Sequence, residues 1–201
     1  MNSKRSKSYP LHRRAVVKEL LEQRGDALVV AGLGAAAWDV TAAGDTPLNF
    51  PLWGGMGGAV PLGLGLALAQ PSRRVLVITG DGEMLMGLGS LATVATQRPP
   101  NLAIVVLDNE RYGETGMQLT HTAGRTDLEA IAAACGIPIC GTVVDQRSLK
   151  SVIQQIPKEV GPLFFNIKVR AENLPLVLPP KDGAYLKDRF RFALLGADAI
   201  S

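Results

Sequence analysis

The sequence predicts an α/β protein in which helices cover both faces of a single doubly wound parallel sheet. Short runs of β-branched and aliphatic residues alternate along the chain with longer segments whose apolar residues recur at helical spacing. Glycine-containing turns separate several of these segments. Strands that alternate with crossover helices form parallel sheets that are buried on both faces.

The first predicted element is a helix over residues 11–23, because its apolar residues have helical spacing and Gly25 follows where a helix would end. Residues 27–31, ALVVA, predict a short buried strand. After a turn at Gly34, residues 35–40 predict the start of a second helix.

The rest of the chain repeats this alternation up to a proline-rich tail. The elements predicted there are a helix at 57–70, a strand at 74–79, a turn at 80–82, a helix at 83–96, a strand at 101–107, a helix at 127–135 after a polar loop, a strand at 138–144, a helix at 148–156 and a strand at 163–169. We expect residues 1–10 to form a flexible basic leader and residues 11–201 to form one domain that includes the tail.

Composition and charge argue against several classes of protein. The net charge of +3 is small and is concentrated near the start of the chain, so we expect no nucleic-acid interface. Residues 54–70 have little charge but contain proline and glycines, and the start of the chain lacks an apolar signal-peptide core. Cys135 and Cys140 fit neither a zinc site nor a redox pair. We expect a cytoplasmic protein without a membrane segment.

One glycine motif, GLGAAA at residues 32–37, formally matches a dinucleotide-binding fingerprint. That fingerprint requires an acidic residue about 20 positions later, at the end of a second strand. Asp45 comes too early, and the next acidic residue is Asp81. The sequence therefore argues against NAD or FAD binding.

A second motif, Gly80-Asp81-Gly82, places one carboxylate at the end of a predicted buried strand. An aspartate there can simply cap the next helix between two flexible glycines. One predicted helix and one strand separate this turn from Asp108-Asn109, so the two loops are expected to be neighbours at the carboxyl edge of the sheet. Oxygens of Asp81, of Asn109 and of a nearby backbone carbonyl would suit Mg²⁺, and backbone N–H groups after the turn would suit a diphosphate.

This GDG motif, followed by NERYG at residues 109–113, resembles the signature of thiamine diphosphate-dependent enzymes. The resemblance implies the thiamine diphosphate-binding fold, with thiamine diphosphate and Mg²⁺ as cofactors. It implies that Asp81 and Asn109 bind Mg²⁺ through their side chains and that Arg111 does so through its backbone carbonyl. The further cofactor contacts it implies are at Gly80, Asp81, Gly82, Glu83, Asn109, Tyr112 and Gly113.

GGMGGA at residues 54–59 resembles a turn that grips the middle of this cofactor in pyruvate-decarboxylase-like enzymes. By this resemblance, the Gly54 carbonyl accepts a hydrogen bond from the pyrimidine amino group, and Gly55 belongs to the same turn. Met56 would be an apolar wedge that folds the cofactor so that its amino group reaches the reactive carbon. The alternative for Met56 is an ordinary core residue.

The order of motifs, the length and the ending KDGAYLKDRFRFAL most resemble the sulfopyruvate decarboxylase β subunit and the carboxyl-terminal domain of phosphonopyruvate decarboxylase. The resemblance implies a carboxy-lyase acting on a small 2-oxo acid. It also implies a partner subunit with the pyrimidine-binding domain, in a heterodimer or a higher oligomer, which supplies the activating glutamate. Asp108 stands where the family usually has asparagine, and Glu83 stands where decarboxylases usually have Ser, Ala or Gly.

Polar residues on the loop after the metal motif are candidates for holding the substrate, although a solvated loop is the alternative. These candidates are Tyr112, Glu114, Thr115, Gln118, Thr120 and His121. His121 is the candidate for moving a proton, because His12, the other histidine, lies in the basic stretch near the start. Carboligation of the acetolactate-synthase type and a non-catalytic assembly role both remain open.

Overall fold

The computed structural model describes residues 5–200, and its main feature is a six-stranded parallel sheet accompanied by a small antiparallel ribbon. The strands, in chain order, are β1 (Leu28–Ala31), β2 (Asn49–Pro51), β3 (Val75–Gly80), β4 (Leu102–Asp108), β5 (Arg111–Tyr112), β6 (Gln118–Leu119), β7 (Ile139–Val143) and β8 (Leu163–Lys168). The sheet has the order β2-β1-β3-β4-β8-β7, and β5 pairs with β6 to form the ribbon.

Helices connect the strands. The α-helices are α1 (Arg13–Glu22), α2 (Ala35–Ala42), α3 (Ala59–Ala69), α4 (Asp81–Met86), α5 (Ser90–Gln97), α6 (Leu128–Cys135), α7 (Gln146–Gln155) and α8 (Gly183–Leu195). Short 3-10 helices lie at Arg5–Lys7, Gly113–Thr115, His121–Ala123 and Gly196–Ile200.

Two apolar layers enclose the sheet, one on each face. Side chains of α1, α2 and α7 pack on one face, whereas α3, α5, α6 and α8 contribute to the other. The central strands β3 and β4 are buried almost throughout, because helices cover both of their faces. The structure confirms the predicted doubly wound α/β fold.

The prediction of one helix over residues 83–96 is wrong. The structure has α4 and α5 there, separated at residues 87–89. A Cβ on Gly87 would lie 2.4 Å from the Gly57 carbonyl oxygen, so the two backbones are in direct contact. This contact holds the turn that precedes α3 against the start of the α4–α5 connection.

Three elements were not predicted: β2, the β5–β6 ribbon and α8. The first is only three residues long and includes Pro51, which explains its weak signal. Helix α8 lies at the end of the expected tail, where the Asp182 side chain accepts hydrogen bonds from the Ala184 and Tyr185 N–H groups. That aspartate was a usable sign of a helix start.

The described part of the expected flexible leader is held in place. The Tyr9 hydroxyl donates a hydrogen bond to Glu110 Oε1 over 2.7 Å, and Arg5 pairs with the same carboxylate. Ser6 is buried, and its carbonyl accepts from the Ala171 N–H over 2.8 Å. Residues 5–10, which we expected to belong to a flexible leader, therefore include side chains and backbone groups in specific contact with the fold, whereas residues 1–4 lie outside the described part of the chain.

Within residues 5–200, none of the helices is both long enough and apolar enough to cross a membrane.

Two glycines of α3 make a matched pair for testing the packing of this helix on the sheet. A Cβ on buried Gly63 would lie 2.2 Å from Val77 Cγ2, whereas a Cβ on exposed Gly65 would meet nothing within 4 Å. We expect Gly63→Ala to lower the free energy of unfolding by about 1–3 kcal/mol, because the helix must move away from β3. Gly65→Ala should raise it by about 0.5–1 kcal/mol through helix propensity. Urea denaturation measures both, and equal effects would contradict this packing.

Candidate functional site

The site lies at the carboxyl edge of the sheet, where β3 and β4 end side by side. Their parallel register pairs Gly80 with Leu107, so Asp81 and Asp108 follow at the same edge. Both aspartates are buried. The neighbourhood expected from the spacing of the two motifs is therefore present.

Asp81 is held by hydroxyl groups. Its Oδ2 accepts hydrogen bonds from Thr120 Oγ1 over 2.6 Å and from Thr122 Oγ1 over 3.3 Å. Thr122 Oγ1 also lies 2.8 Å from Asp108 Oδ1 and so bridges the two carboxylates. Burial, and next the negative charge of Asp108, raise the pKa of Asp81 to about 7, against the effect of these hydrogen bonds. The side-chain donors to Asp81 Oδ2 are thus neutral hydroxyl groups.

Asp108 has a positively charged partner. Its Oδ2 accepts from Lys168 Nζ over 2.7 Å and from Asn166 Nδ2 over 3.1 Å. Both donors lie on β8, which pairs with β4. The sequence analysis missed them, although polar residues at alternate positions of LFFNIK were an available signal, since alternate strand residues share a face. The ammonium of Lys168 thus compensates the negative charge of Asp108, which stands where the family usually has asparagine.

The loop after β4 turns sharply. Asn109 Oδ1 accepts a hydrogen bond from the Arg111 N–H over 2.8 Å. Glu110 has a φ of 61°, in the left-handed region that is uncommon for residues other than glycine. Its N–H donates to Asp108 Oδ1 over 3.1 Å, and its carbonyl accepts from the Thr120 N–H over 3.1 Å. The turn brings Asn109 and Arg111 to the same side of the loop as the cavity described next.

A cavity of about 270 Å³ opens beside these residues. Its lining is largely apolar, with the predicted cofactor residues along one part of it. Those predicted residues are Met56, Gly80, Asp81, Gly82, Glu83, Asn109, Arg111, Tyr112 and Gly113. The other lining residues are Arg13, Leu33, Ala35, Ala36, Leu107, Glu114 and Thr115.

The GGMGG turn contributes to this cavity through Met56 alone. Met56 is 39% exposed, and its Cε lies 3.7 Å from where a Cβ on Gly82 would be. The Tyr112 ring lies 2.8 Å from that same position, so the backbone at Gly82 is covered by an aromatic side chain. Gly54 and Gly55 are exposed and are not among the lining residues.

Glu83, the acidic residue where decarboxylases usually have Ser, Ala or Gly, makes several contacts within the protein. It is buried, and its Oε2 accepts from Thr79 Oγ1 over 2.6 Å. Burial raises the pKa of Glu83, and this is opposed by hydrogen bonds from Thr79 and from the backbone at Ala59, Gly57 and Leu33. The carboxylate thus connects the loop after β1, the end of β3 and the start of α3.

Several loop candidates lie apart from the cavity. His121 is exposed and is not among the lining residues, and Gln118 pairs with Thr115 on the surface. Thr120 is buried against Asp81, so its position is that of a carboxylate partner. Glu114 does reach the cavity, where its Oε1 lies 2.7 Å from where a Cβ on Gly34 would be.

The fold and the site define a protein of the thiamine diphosphate class, and comparison with known proteins agrees. Residues 32–167 match the family described as "Thiamine pyrophosphate enzyme, C-terminal TPP binding domain", and the chain belongs to that family. The chain is 35% identical over 187 residues to sulfopyruvate decarboxylase subunit beta of Methanothermobacter thermautotrophicus, with 93% of this chain and 97% of that subunit covered.

Two further relatives are longer proteins. Phosphonopyruvate decarboxylase of Streptomyces viridochromogenes is 36% identical over 188 residues, which cover 93% of this chain but 47% of that enzyme. A solved structure from Mycobacterium smegmatis, described as a thiamin diphosphate-dependent enzyme, superimposes with a TM-score of 0.69 at 25% identity. That match covers 81% of this chain and 32% of the other.

The contact between Gly32 and Glu83 can be tested directly. A Cβ on Gly32 would lie 1.7 Å from Glu83 Oε2, so Gly32→Ala must displace the buried carboxylate. We expect a loss of about 2–3 kcal/mol in the free energy of unfolding. The double variant Gly32→Ala/Glu83→Ala removes the clash, so the double variant should lose at least about 1 kcal/mol less than the sum of the single losses. Urea denaturation of all four proteins measures this coupling; strict additivity would show that the contact is absent.

Proposed function

We propose that this chain is the thiamine diphosphate- and Mg²⁺-binding subunit of a heteromeric 2-oxo acid decarboxylase. The observation that carries this proposal is the buried pairing of Asp81 and Asp108 beside a cavity lined by Asn109, Arg111 and Tyr112. Family membership supports the cofactor, and the similarity to sulfopyruvate and phosphonopyruvate decarboxylases supports the reaction.

The residues around Asp81 fit a divalent cation. Threonine hydroxyls and the backbone, which are neutral donors, bind Asp81, while the ammonium of Lys168 is taken by Asp108 and Glu110. Mg²⁺ would bring positive charge to the Asp81 carboxylate, with Asp81 Oδ, Asn109 Oδ1 and the Arg111 carbonyl as oxygen ligands. Asn109 Oδ1 keeps a free acceptor direction after its bond from the Arg111 N–H, because an amide oxygen has two lone pairs.

The rest of the cavity fits the organic part of the cofactor. Gly80 and Gly82 flank Asp81 in the cavity lining, and the Tyr112 ring lies over Gly82. Backbone N–H groups next to Asp81 would bind the diphosphate together with the cation. Met56 and Tyr112 offer apolar contact surface next to this point. When bound, thiamine diphosphate supplies the electron sink that decarboxylation requires. The chain itself would bind, orient and shield this group from water.

A partner subunit completes the proposed site. The relatives that match this chain over nearly their whole length are named as beta subunits, and the Streptomyces relative is about twice as long. We assign the pyrimidine-binding domain and its activating glutamate to the partner. We assign no proton transfer to His121, because it is exposed and lies outside the cavity lining.

The partner requirement gives the first functional test. We expect the purified chain alone to release no CO₂ from any of a panel of small 2-oxo acids that includes sulfopyruvate and phosphonopyruvate. Co-expression with the pyrimidine-domain subunit should produce activity that depends on Mg²⁺ and thiamine diphosphate. Full turnover by the chain alone would contradict the proposal. Identification of the products separates release of an aldehyde from carboligation.

Asp81→Asn tests the cation site. Replacing the carboxylate ligand should weaken Mg²⁺-dependent binding of thiamine diphosphate by the complex on the order of 100-fold or more. In the chain without cofactor, the same change should raise the free energy of unfolding by roughly 1–2 kcal/mol at a pH of about 8, because the raised pKa of Asp81 means that its charged form destabilises the fold.

Asp127→Asn is the matched control, since Asp127 caps α6 and asparagine caps helices equally well. It should change neither quantity. Calorimetric titration and urea denaturation measure the two effects. Unchanged cofactor affinity in Asp81→Asn would exclude Asp81 as a ligand and would favour a non-catalytic assembly subunit.

A further inference from the structure

We infer that Tyr9 and Arg5 act through Glu110 as positioning residues for the loop that carries Asn109 and Arg111. This inference rests on the proposed function, because it concerns the geometry of the proposed cation ligands. It gives the first residues of the described chain a role in cofactor binding, although they do not line the cavity.

Glu110 lies between the two proposed ligands, and its side chain points away from them into the protein. The side chain is completely buried. Glu110 Oε1 accepts from the Tyr9 hydroxyl over 2.7 Å, from Arg5 Nε over 3.1 Å and from Lys168 Nζ over 3.2 Å. Two of these three donors, Arg5 and Lys168, carry a positive charge. Glu110 is therefore a charged anchor, and its carboxylate is already bound within the protein.

The anchor holds an unfavourable backbone conformation. A non-glycine residue at a φ of 61° requires compensation from its surroundings. Both backbone polar groups of Glu110 are bonded, the N–H to Asp108 and the carbonyl to the Thr120 N–H. Since Asn109 and Arg111 flank this residue, the direction of their oxygens depends on the Glu110 conformation.

The segment that holds the anchor is itself fixed to the body of the fold. Arg170 Nε donates to the Tyr9 carbonyl over 2.9 Å, and the Ala171 N–H donates to the Ser6 carbonyl over 2.8 Å. Arg5 also donates to the Thr122 carbonyl over 3.1 Å, and Thr122 bridges the carboxylates of Asp81 and Asp108. Residues 5–9 therefore connect the segment after β8 with both sides of the proposed cation site.

Four variants separate positioning from general stability. Tyr9→Phe removes one hydroxyl, and Glu110→Gln removes the charge of the anchor. Glu110→Gly removes the anchor but favours the observed backbone conformation, because glycine adopts positive φ readily. Tyr185→Phe is the control, since Tyr185 is half exposed on α8 and does not line the cavity.

Two readouts are measured besides the melting temperature. The first is amide hydrogen exchange of residues 109–120 in the chain without cofactor. The second is the Mg²⁺ concentration at half-saturation for thiamine diphosphate binding by the complex, from calorimetry. We expect Tyr9→Phe and Glu110→Gly to speed exchange in this loop and to raise the half-saturating Mg²⁺ about tenfold. Glu110→Gln should raise it at least as much, and Tyr185→Phe should leave both readouts at the wild-type values.

A role in stability alone would lower the melting temperature and leave the half-saturating Mg²⁺ unchanged, and this result would overturn the inference. Wild-type affinity in Glu110→Gly would also overturn it, because the backbone conformation would then suffice without the anchor. If Glu110→Gln fails to fold, Tyr9→Phe decides, since it removes a single oxygen atom. Absence of Mg²⁺-dependent binding in the wild-type complex would instead overturn the proposed function together with the inference.

Discussion

Two carboxylates with like charge, Asp81 and Asp108, are buried next to each other where β3 and β4 end. Their repulsion in a poorly solvated environment opposes folding unless donors or cations compensate. The surrounding structure supplies unequal compensation. Asp108 receives the ammonium of Lys168, whereas Asp81 receives hydroxyl hydrogen bonds from Thr120 and Thr122. Asp81, the carboxylate with hydroxyl partners, is the one that lines the cavity, and it is therefore the one we propose as a cation ligand.

Close contacts between loops build the rest of the site around this pair. Gly57 and Gly87 bring two backbones together, Tyr112 lies over Gly82, and Glu83 lies against Gly32. Each contact joins segments that are distant in sequence and that meet only at the carboxyl edge of the sheet. The strand order therefore brings together the loops that form the cavity. Its shape depends both on the small residues that allow these close contacts and on the polar groups that line it.

The sequence predicted the parts of this structure that depend on local pattern. Buried strands such as VLVITG have a clear signature, and the distance between Gly80-Asp81-Gly82 and Asp108-Asn109 predicted that two loops meet. It did not predict the break at residues 87–89, because that break results from a contact with Gly57 that no local pattern encodes. The alternating polar residues of LFFNIK were a local signal for Lys168, but they did not identify its partner, which lies 60 residues earlier. Likewise, the local sequence around Arg5 does not predict its contact with Glu110, because the two residues are 105 positions apart. The basic residues near the start were therefore interpreted as a solvated arm.

The contacts of the anchor Glu110 with its donors Tyr9, Arg5 and Lys168 also have an evolutionary consequence. An acidic side chain at position 110 is tolerated in the interior only while its donors are present, and the donors have less reason to be retained without it. These positions are thus expected to change together as lineages diverge. An aromatic hydroxyl near the start of a homologous chain would then mark which members inherited a charged residue between the two proposed ligands, and which rely on a different device to shape that loop.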